Sequence, residues 1–220
     1  MKHLRQTILF IFLLIACSVS YAQGNMGIDV SHHQGTVDWK MVAKDRRIGF
    51  VYIKATEGAT YTDKKLFENA NAAHKEGLSV GVYHFFRMTS SPEKQFKHFK
   101  KQTKNLHIDL IPMVDVETTD GYPKKEVQRK LKVFLDLLEK EYGKKPMIYG
   151  TMRSYNSICA PVFNKYHLYI GRYGKSEPVI TGTGTYTIWQ YTETAKIKGC
   201  DKTIDLCRFH PKYSIKDILL

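Results

Sequence analysis

The run Val114-Asp115-Val116-Glu117 sets two carboxylates two residues apart in an apolar stretch. On a strand, whose side chains alternate, both would point to one face with their Cα atoms about 6–7 Å apart. Carboxylates on an apolar strand are costly to bury without a partner or a task. Proximity raises the pKa of one of them, which gives a proton donor beside a charged neighbour. That pairing suits cleavage of a glycosidic bond. Spacing alone leaves two alternatives open, an ordinary surface strand end and a metal site. Other polar residues stand where further apolar runs end: Asp29, Glu57, Tyr83, His84, Tyr149, Arg172, Gln190 and Asp205. Tyr61, Tyr83, Phe85, Tyr149, Tyr173, Trp189 and Tyr191 lie close to those ends. Their faces would suit stacking on the apolar C–H patches of sugar rings, and core packing is the competing role.

Other motifs promise less. His32 and His33 are adjacent, so their side chains diverge, and no third residue is spaced to join them as a metal ligand. No metal and no cofactor is expected. Lys54, on an apolar run, reads as a salt-bridge partner rather than a Schiff-base lysine. The loop Thr181-Gly182-Thr183-Gly184-Thr185 has neither a lysine nor a following helix, so it is not a phosphate cradle.

The elements that would position these residues alternate along the chain. Short runs rich in Val, Ile and Tyr predict strands at 26–30, 49–55, 79–86, 110–117, 146–150, 168–171, 186–191 and 203–206. Several are continuously apolar, as strands covered on both faces are. Leu66, Phe67, Ala70 and Ala73 predict one helix, with Asp63 as its cap and Gly77 as its stop. Phe96 and Phe99 predict a second behind Ser91-Pro92. Val127, Leu131, Phe134, Leu135, Leu138 and Tyr142 predict a third between Pro123 and Gly143. Beyond residue 150 the helical signal fades. Repeated β-then-α units predict parallel strands. Eight of them predict a single-domain distorted (β/α) TIM-like barrel with some helices missing in its C-terminal half, an open doubly wound sheet being the alternative. In such a barrel, chemistry gathers at the carboxyl ends of the strands.

Lys2 and Arg5, an apolar run from Ile8 to Ala16 and Ser20-Tyr21-Ala22 have the form of a signal peptide over 1–22, leaving a domain over 23–220. Leu14-Ile15-Ala16-Cys17 also has the form of a lipobox, which would leave the protein lipid-anchored through Cys17. Either reading sends the chain across the bacterial inner membrane. The formal charge of +13 becomes +11 once Lys2 and Arg5 are removed with no acid. Such a surface favours polyanions. Cys159, Cys200 and Cys207 remain. Export permits a Cys200–Cys207 disulfide, and three unpaired thiols are the equal alternative. The lysines 94, 97, 100, 101 and 104 have few aromatics between them and read as a solvated helix face, not a nucleic-acid reader.

Seven motifs, in order, resemble glycoside hydrolase family 25, the Chalaropsis-type lysozymes. They are Gly27-Ile28-Asp29-Val30-Ser31-His32-His33-Gln34-Gly35 with Val37-Asp38-Trp39; Phe50-Val51-Tyr52-Ile53-Lys54-Ala55-Thr56-Glu57-Gly58; Gly81-Val82-Tyr83-His84-Phe85; Asp115-Val116-Glu117; Ile148-Tyr149; Trp189-Gln190-Tyr191; and Asp205 near the end. The resemblance implies a secreted N-acetylmuramidase acting on bacterial peptidoglycan, with Glu117 as general acid and Asp115 as its strand partner. Asp29 and Asp205 would complete an acidic groove, with Tyr83 and Tyr149 near the sugar. Tyr173, Arg172, Trp189, Gln190 and Tyr191 would be further substrate contacts. One departure stands out: where the family usually has Trp-x-Ala-x-Tyr, this chain has Tyr169-Ile170-Gly171-Arg172-Tyr173. No acid is lost by it. A monomer is expected, without nucleic acid or a stable protein partner. A catalytically weak peptidoglycan-binding barrel is the rival reading.

Overall fold

Period-two alternation organises the architecture. Phe50 and Tyr52 belong to one buried cluster, while Val51 and Ile53, between and beyond them, belong to another. The first cluster fills the inside of a closed barrel, and the second packs the barrel wall against a surrounding layer of helices. The computed structural model describes residues 24–220. The leader reading over 1–22 and the Cys17 alternative therefore lie outside the described residues.

Nine strands are present: β1 (Met26–Val30), β2 (Ile48–Glu57), β3 (Tyr61–Thr62), β4 (Ser79–Phe85), β5 (Met113–Asp115), β6 (Met147–Thr151), β7 (His167–Gly171), β8 (Ile188–Ala195) and β9 (Ile204–Phe209). Their order is β1-β9-β8-β7-β6-β5-β4-β2-β3, and β1 also pairs with β2, which closes eight strands into a ring with β3 as a flap on the end of β2. The distorted TIM-like α/β barrel is thus present, and the open sheet is not. One expectation is corrected: β9 runs antiparallel to both β1 and β8. No helix separates β8 from β9, so the chain turns back directly instead of crossing over.

The helices α1 (Trp39–Val42), α2 (Leu66–Lys75), α3 (Pro92–Thr103) and α4 (Lys124–Tyr142) all precede β6. Ser91 caps α3 by accepting from Lys94 N–H, with Pro92 in the first turn, and Gly143 ends α4 at φ 70°. Asp63 does not cap α2. Its carboxylate accepts instead from Lys65 N–H and from both the backbone and the ring of His32. After β6 a short helix, α5 (Met152–Ser154), runs into a π-helical turn, and β7 and β8 are joined without a helix.

At the amino ends of the strands the barrel is plugged. Phe50, Phe209, Leu110, Ile111 and Ile218 are buried together there. The C-terminal segment closes beneath them through Ile111 N–H to Ile218 O at 2.9 Å and Leu220 N–H to Asp109 O at 2.8 Å. At the carboxyl ends the interior opens.

Candidate active site

Asp29, Tyr83, Met113, Asp115, Glu117, Tyr149, Tyr173, Gln190, Glu193 and Asp205 line one cavity of about 300 Å³ at the open end. β1, β4, β5, β6, β8 and β9 each contribute at least one inward side chain. The closed ring is what brings Asp29 and Asp205 to Asp115 and Glu117. Asp29 and Asp205 face each other across the β1–β9 ladder. Asp205 is the second residue of β9, not its carboxyl end. The antiparallel course of that strand puts its start at the open mouth.

Asp29 is held by two donors on one oxygen. Tyr169 O–H donates to Oδ2 at 2.6 Å and Gln190 Nε2 at 2.9 Å. Tyr149 O–H and Tyr173 O–H donate in turn to Gln190 Oε1 at 2.8 and 3.3 Å. A chain of hydroxyls and one amide thus fixes the acid floor of the cavity. Asp115 is buried, and its Oδ1 has no hydrogen-bond partner among the described residues. Lys54 Nζ, inside the same wall, pairs with Glu57 Oε2 at 2.8 Å and sits over the Phe85 and Tyr61 rings, so the salt-bridge reading of this lysine holds.

Crowding acids in a desolvated cavity favours their protonated forms. Burial raises Asp115 well above the usual carboxylate range, with the charge of Glu117 adding to it and Lys54 opposing. Glu117 is raised by burial and then by Asp29. Burial also raises Asp29, against the hydrogen bonds from Tyr169, Gln190 and Asp205. Asp205 is pushed up to about 8, by burial first and then by Asp29 and Glu193. Each of these acids therefore keeps its proton to higher pH than a free carboxyl does, which is the property a general acid needs.

Several sequence-predicted residues point elsewhere. Trp189 and Tyr191 flank the inward Gln190 and face outward, where Arg208 stacks over both rings. Trp189 is buried and donates its indole N–H to Arg172 O at 2.7 Å. Arg172 extends toward Met152, not into the cavity. These three are wall-packing residues in this structure. His84 likewise faces the helices, between Thr56 Oγ1 at 2.7 Å and Gln95 Oε1 at 2.9 Å, and burial lowers its pKa to about 3. Cys159, Cys200 and Cys207 are free thiols. Cys207 is inside the barrel and Cys200 packs outside its wall, so the strand itself keeps these two apart, which is the free-thiol alternative.

Two residues escaped the sequence reading. Glu193 enters the cavity because the β8–β9 register shifts between Gln190 and Thr192 and again before Ala195, which rephases the strand. Tyr169 anchors Asp29. Its signal was available, two and four residues ahead of Gly171 and Tyr173 on the inward face.

Residues 28–200 match Glycosyl hydrolases family 25, and the chain belongs to that family. It is a glycoside hydrolase. Its structure is similar to that of the bacterial lysozyme from Streptomyces coelicolor, with a TM-score of 0.79 and 30% identity over 89% of this chain and 95% of that one. It is similar also to a family 25 glycosyl hydrolase from Bacillus anthracis, with a TM-score of 0.78 and 32% identity over 86% and 90% of the two chains. An autolytic lysozyme of Clostridium acetobutylicum is 32% identical over 183 residues, covering 83% of this chain and 55% of that protein.

Proposed function

We propose that this chain is an exported lysozyme that hydrolyses the β-1,4 bond between N-acetylmuramic acid and N-acetylglucosamine in bacterial peptidoglycan. Glu117 is the general acid, and Asp115 orients the substrate's 2-acetamido group as the internal nucleophile. The observation that carries this reading is Asp115 itself: buried, beside Glu117 in the cavity, with an unpartnered carboxylate oxygen. A buried acceptor left without a donor is expensive. An acetamido N–H is a donor of the right kind to fill it.

The pair must share protons in the right order. In the free enzyme burial raises both carboxyls, Asp115 and Glu117. A substrate N–H donated to Asp115 favours its charged form and leaves the remaining proton on Glu117, where the leaving oxygen needs it. The acetamido carbonyl oxygen then attacks the anomeric carbon while Glu117 protonates the departing sugar oxygen. The carboxylate of Asp115 stabilises the positive charge of the five-membered ring that forms. Water, deprotonated by Glu117, opens that ring. Asp29 and Asp205 complete the acid wall around the reacting sugar, and Tyr83 and Tyr149 border it.

Glu117→Gln should lower lysis of purified walls by about 10²–10⁴ with the fold intact. Retention of more than about a tenth of activity would remove Glu117 from the role. A thiazoline mimic of the cyclised sugar should bind far more tightly than the plain disaccharide, and Asp115→Asn should erase that preference. Equal binding of the two ligands to the unmodified enzyme rules out substrate assistance. The Lys2, Arg5 and Ala22 pattern supports export, and the mass of the mature chain tests cleavage against lipidation at Cys17.

A further inference from the structure

The plugged end of the barrel carries a second cluster of ligating side chains, remote from the cavity. Asp109 lies in the segment between α3 and β5. It is clamped to the start of β4: its N–H donates to Val80 O at 2.8 Å, and Val80 N–H donates to its Oδ2 at 2.8 Å. Its own carbonyl accepts from Leu220 N–H. The residue is therefore fixed by three backbone hydrogen bonds, one of which reaches its carboxylate. Two imidazoles converge on it. His107 Nε2 is 3.1 Å from Oδ1, and His74 Nδ1 is 3.6 Å from Oδ2. The two rings stack with centroids 4.0 Å apart. One ligand atom from each of the three residues falls within 4.8 Å of the others.

We propose that His74, His107 and Asp109 form a binding site for a divalent transition-metal ion of the zinc class. A tetrahedral ion with bonds of about 2.0–2.2 Å holds its ligand atoms roughly 3.3–3.5 Å apart. The spacing found here needs only small side-chain rotations to reach that. Two imidazole nitrogens and one carboxylate select zinc, cobalt, nickel or copper over calcium and magnesium, which take oxygen ligands. The carboxylate's bond from Val80 N–H is the kind of outer partner that orients a metal ligand. His74 is the next-to-last residue of the ten-residue α2, where the helix dipole favours a cation. Both histidines are exposed, so the fourth position opens to water. His74 and His107 stand 33 positions apart, and only the fold joins them. A bound ion would tie the end of α2 to the segment before β5 and, through Asp109, to the C-terminus. It acts as a clip on the barrel floor, not as part of the catalytic cavity.

The test uses the full mature chain without a histidine tag, stripped with a chelator and titrated with zinc chloride near neutral pH. Calorimetry should show one saturable step at one ion per chain. At a hundredfold excess over Kd, Tm should rise by roughly 5–10 °C. His74→Ala and His107→Ala should each weaken that step by roughly 10–100-fold. His33→Ala, at the other histidine pair, should leave it unchanged. Cobalt should substitute with the intense visible absorption of a tetrahedral site, and magnesium should give no step. Wall hydrolysis should be the same with and without zinc and in His107→Ala, which separates this result from the catalytic reading. The proposal is overturned by the absence of a saturable zinc step, by its persistence in the His74/His107 double alanine variant, or by an equal response to magnesium.

Discussion

Asp205→Asn should stabilise the protein in a pH-dependent way while impairing it as an enzyme. Asp205 is half-buried opposite Asp29, and burial with the charges of Asp29 and Glu193 holds its carboxyl at about 8 against an ordinary 3.8. The unfolded chain releases this proton near pH 4, whereas the folded chain keeps it until about pH 8. The folded state thus binds more protons across that window, so stability falls as pH rises through it. The contribution is fully present below about pH 4 and gone above about pH 8. Each tenfold of pH is worth about 1.36 kcal/mol, which sets a ceiling near 4 kcal/mol at pH 7. Solvent screening at a half-buried group and the sharing of charge with Asp29 reduce this to about 2 kcal/mol. Asparagine keeps the size and polarity and cannot ionise. At pH 8 the variant should melt about 4–8 °C above the parent, and at pH 4 the two should melt together. Thermal melts by circular dichroism every half unit from pH 4 to 9 measure this, with wall lysis followed in parallel. A difference in Tm that is the same at pH 4 and pH 8, or a variant less stable than the parent at pH 8, refutes the argument that crowded acids strain this fold.

Tyr169→Phe removes the 2.6 Å bond to Asp29 Oδ2 and should cost about 1–3 kcal/mol of stability at neutral pH, read by denaturant unfolding. Without that donor Asp29 should hold its proton to higher pH, so the pH–activity profile should move upward. The formal charge of +13, or +11 without residues 1–22, should draw the enzyme to anionic walls through long-range attraction, so raising salt to about 0.5 M should weaken wall association and leave turnover of a short soluble substrate nearly unchanged. Reversing exposed Lys94, Lys97 and Lys101 of α3 to Glu should mimic that effect, while Lys100 is already paired with Glu141 at 2.7 Å. An equal response of both substrates to salt defeats the steering idea.

The strands and the three long helices were legible because each has a local signal: β-branched apolar runs for β2 and β6, and apolar stripes between a cap and a glycine for α3 and α4. The direction of β9 was not, since a strand's composition is the same whichever way it runs. β3 escaped because two residues carry no period, and β5 is shorter than its apolar run because Pro112 has no N–H to give to a ladder. Its apolar flank at Leu110 instead meets Leu219 of the C-terminal segment.

At the site, alternation did more than the motif. The resemblance implies substrate contacts at Trp189, Gln190 and Tyr191 alike, yet side chains alternate along a regular strand and three in a row do not share one cavity. Once Gln190 is bonded to Asp29, Trp189 and Tyr191 must face outward, where Arg208 stacks over both rings. The same rule places Tyr169 and Tyr173 together on the inward face of β7 and its extension, with Gly171 between them. A Cβ at Gly171 would stand 2.9 Å from Gln190 Oε1 and 3.0 Å from Tyr149 O–H, so the missing side chain is the room in which the bonds to Gln190 form. Tyr169 and Gly171 thus act together: a hydroxyl that reaches Asp29, and a vacancy that lets Tyr149 and Gln190 meet beside it. The acids can be read along the chain one strand at a time. What holds them, and keeps protons on them, depends on residues of several different strands and becomes visible only when the ring is closed.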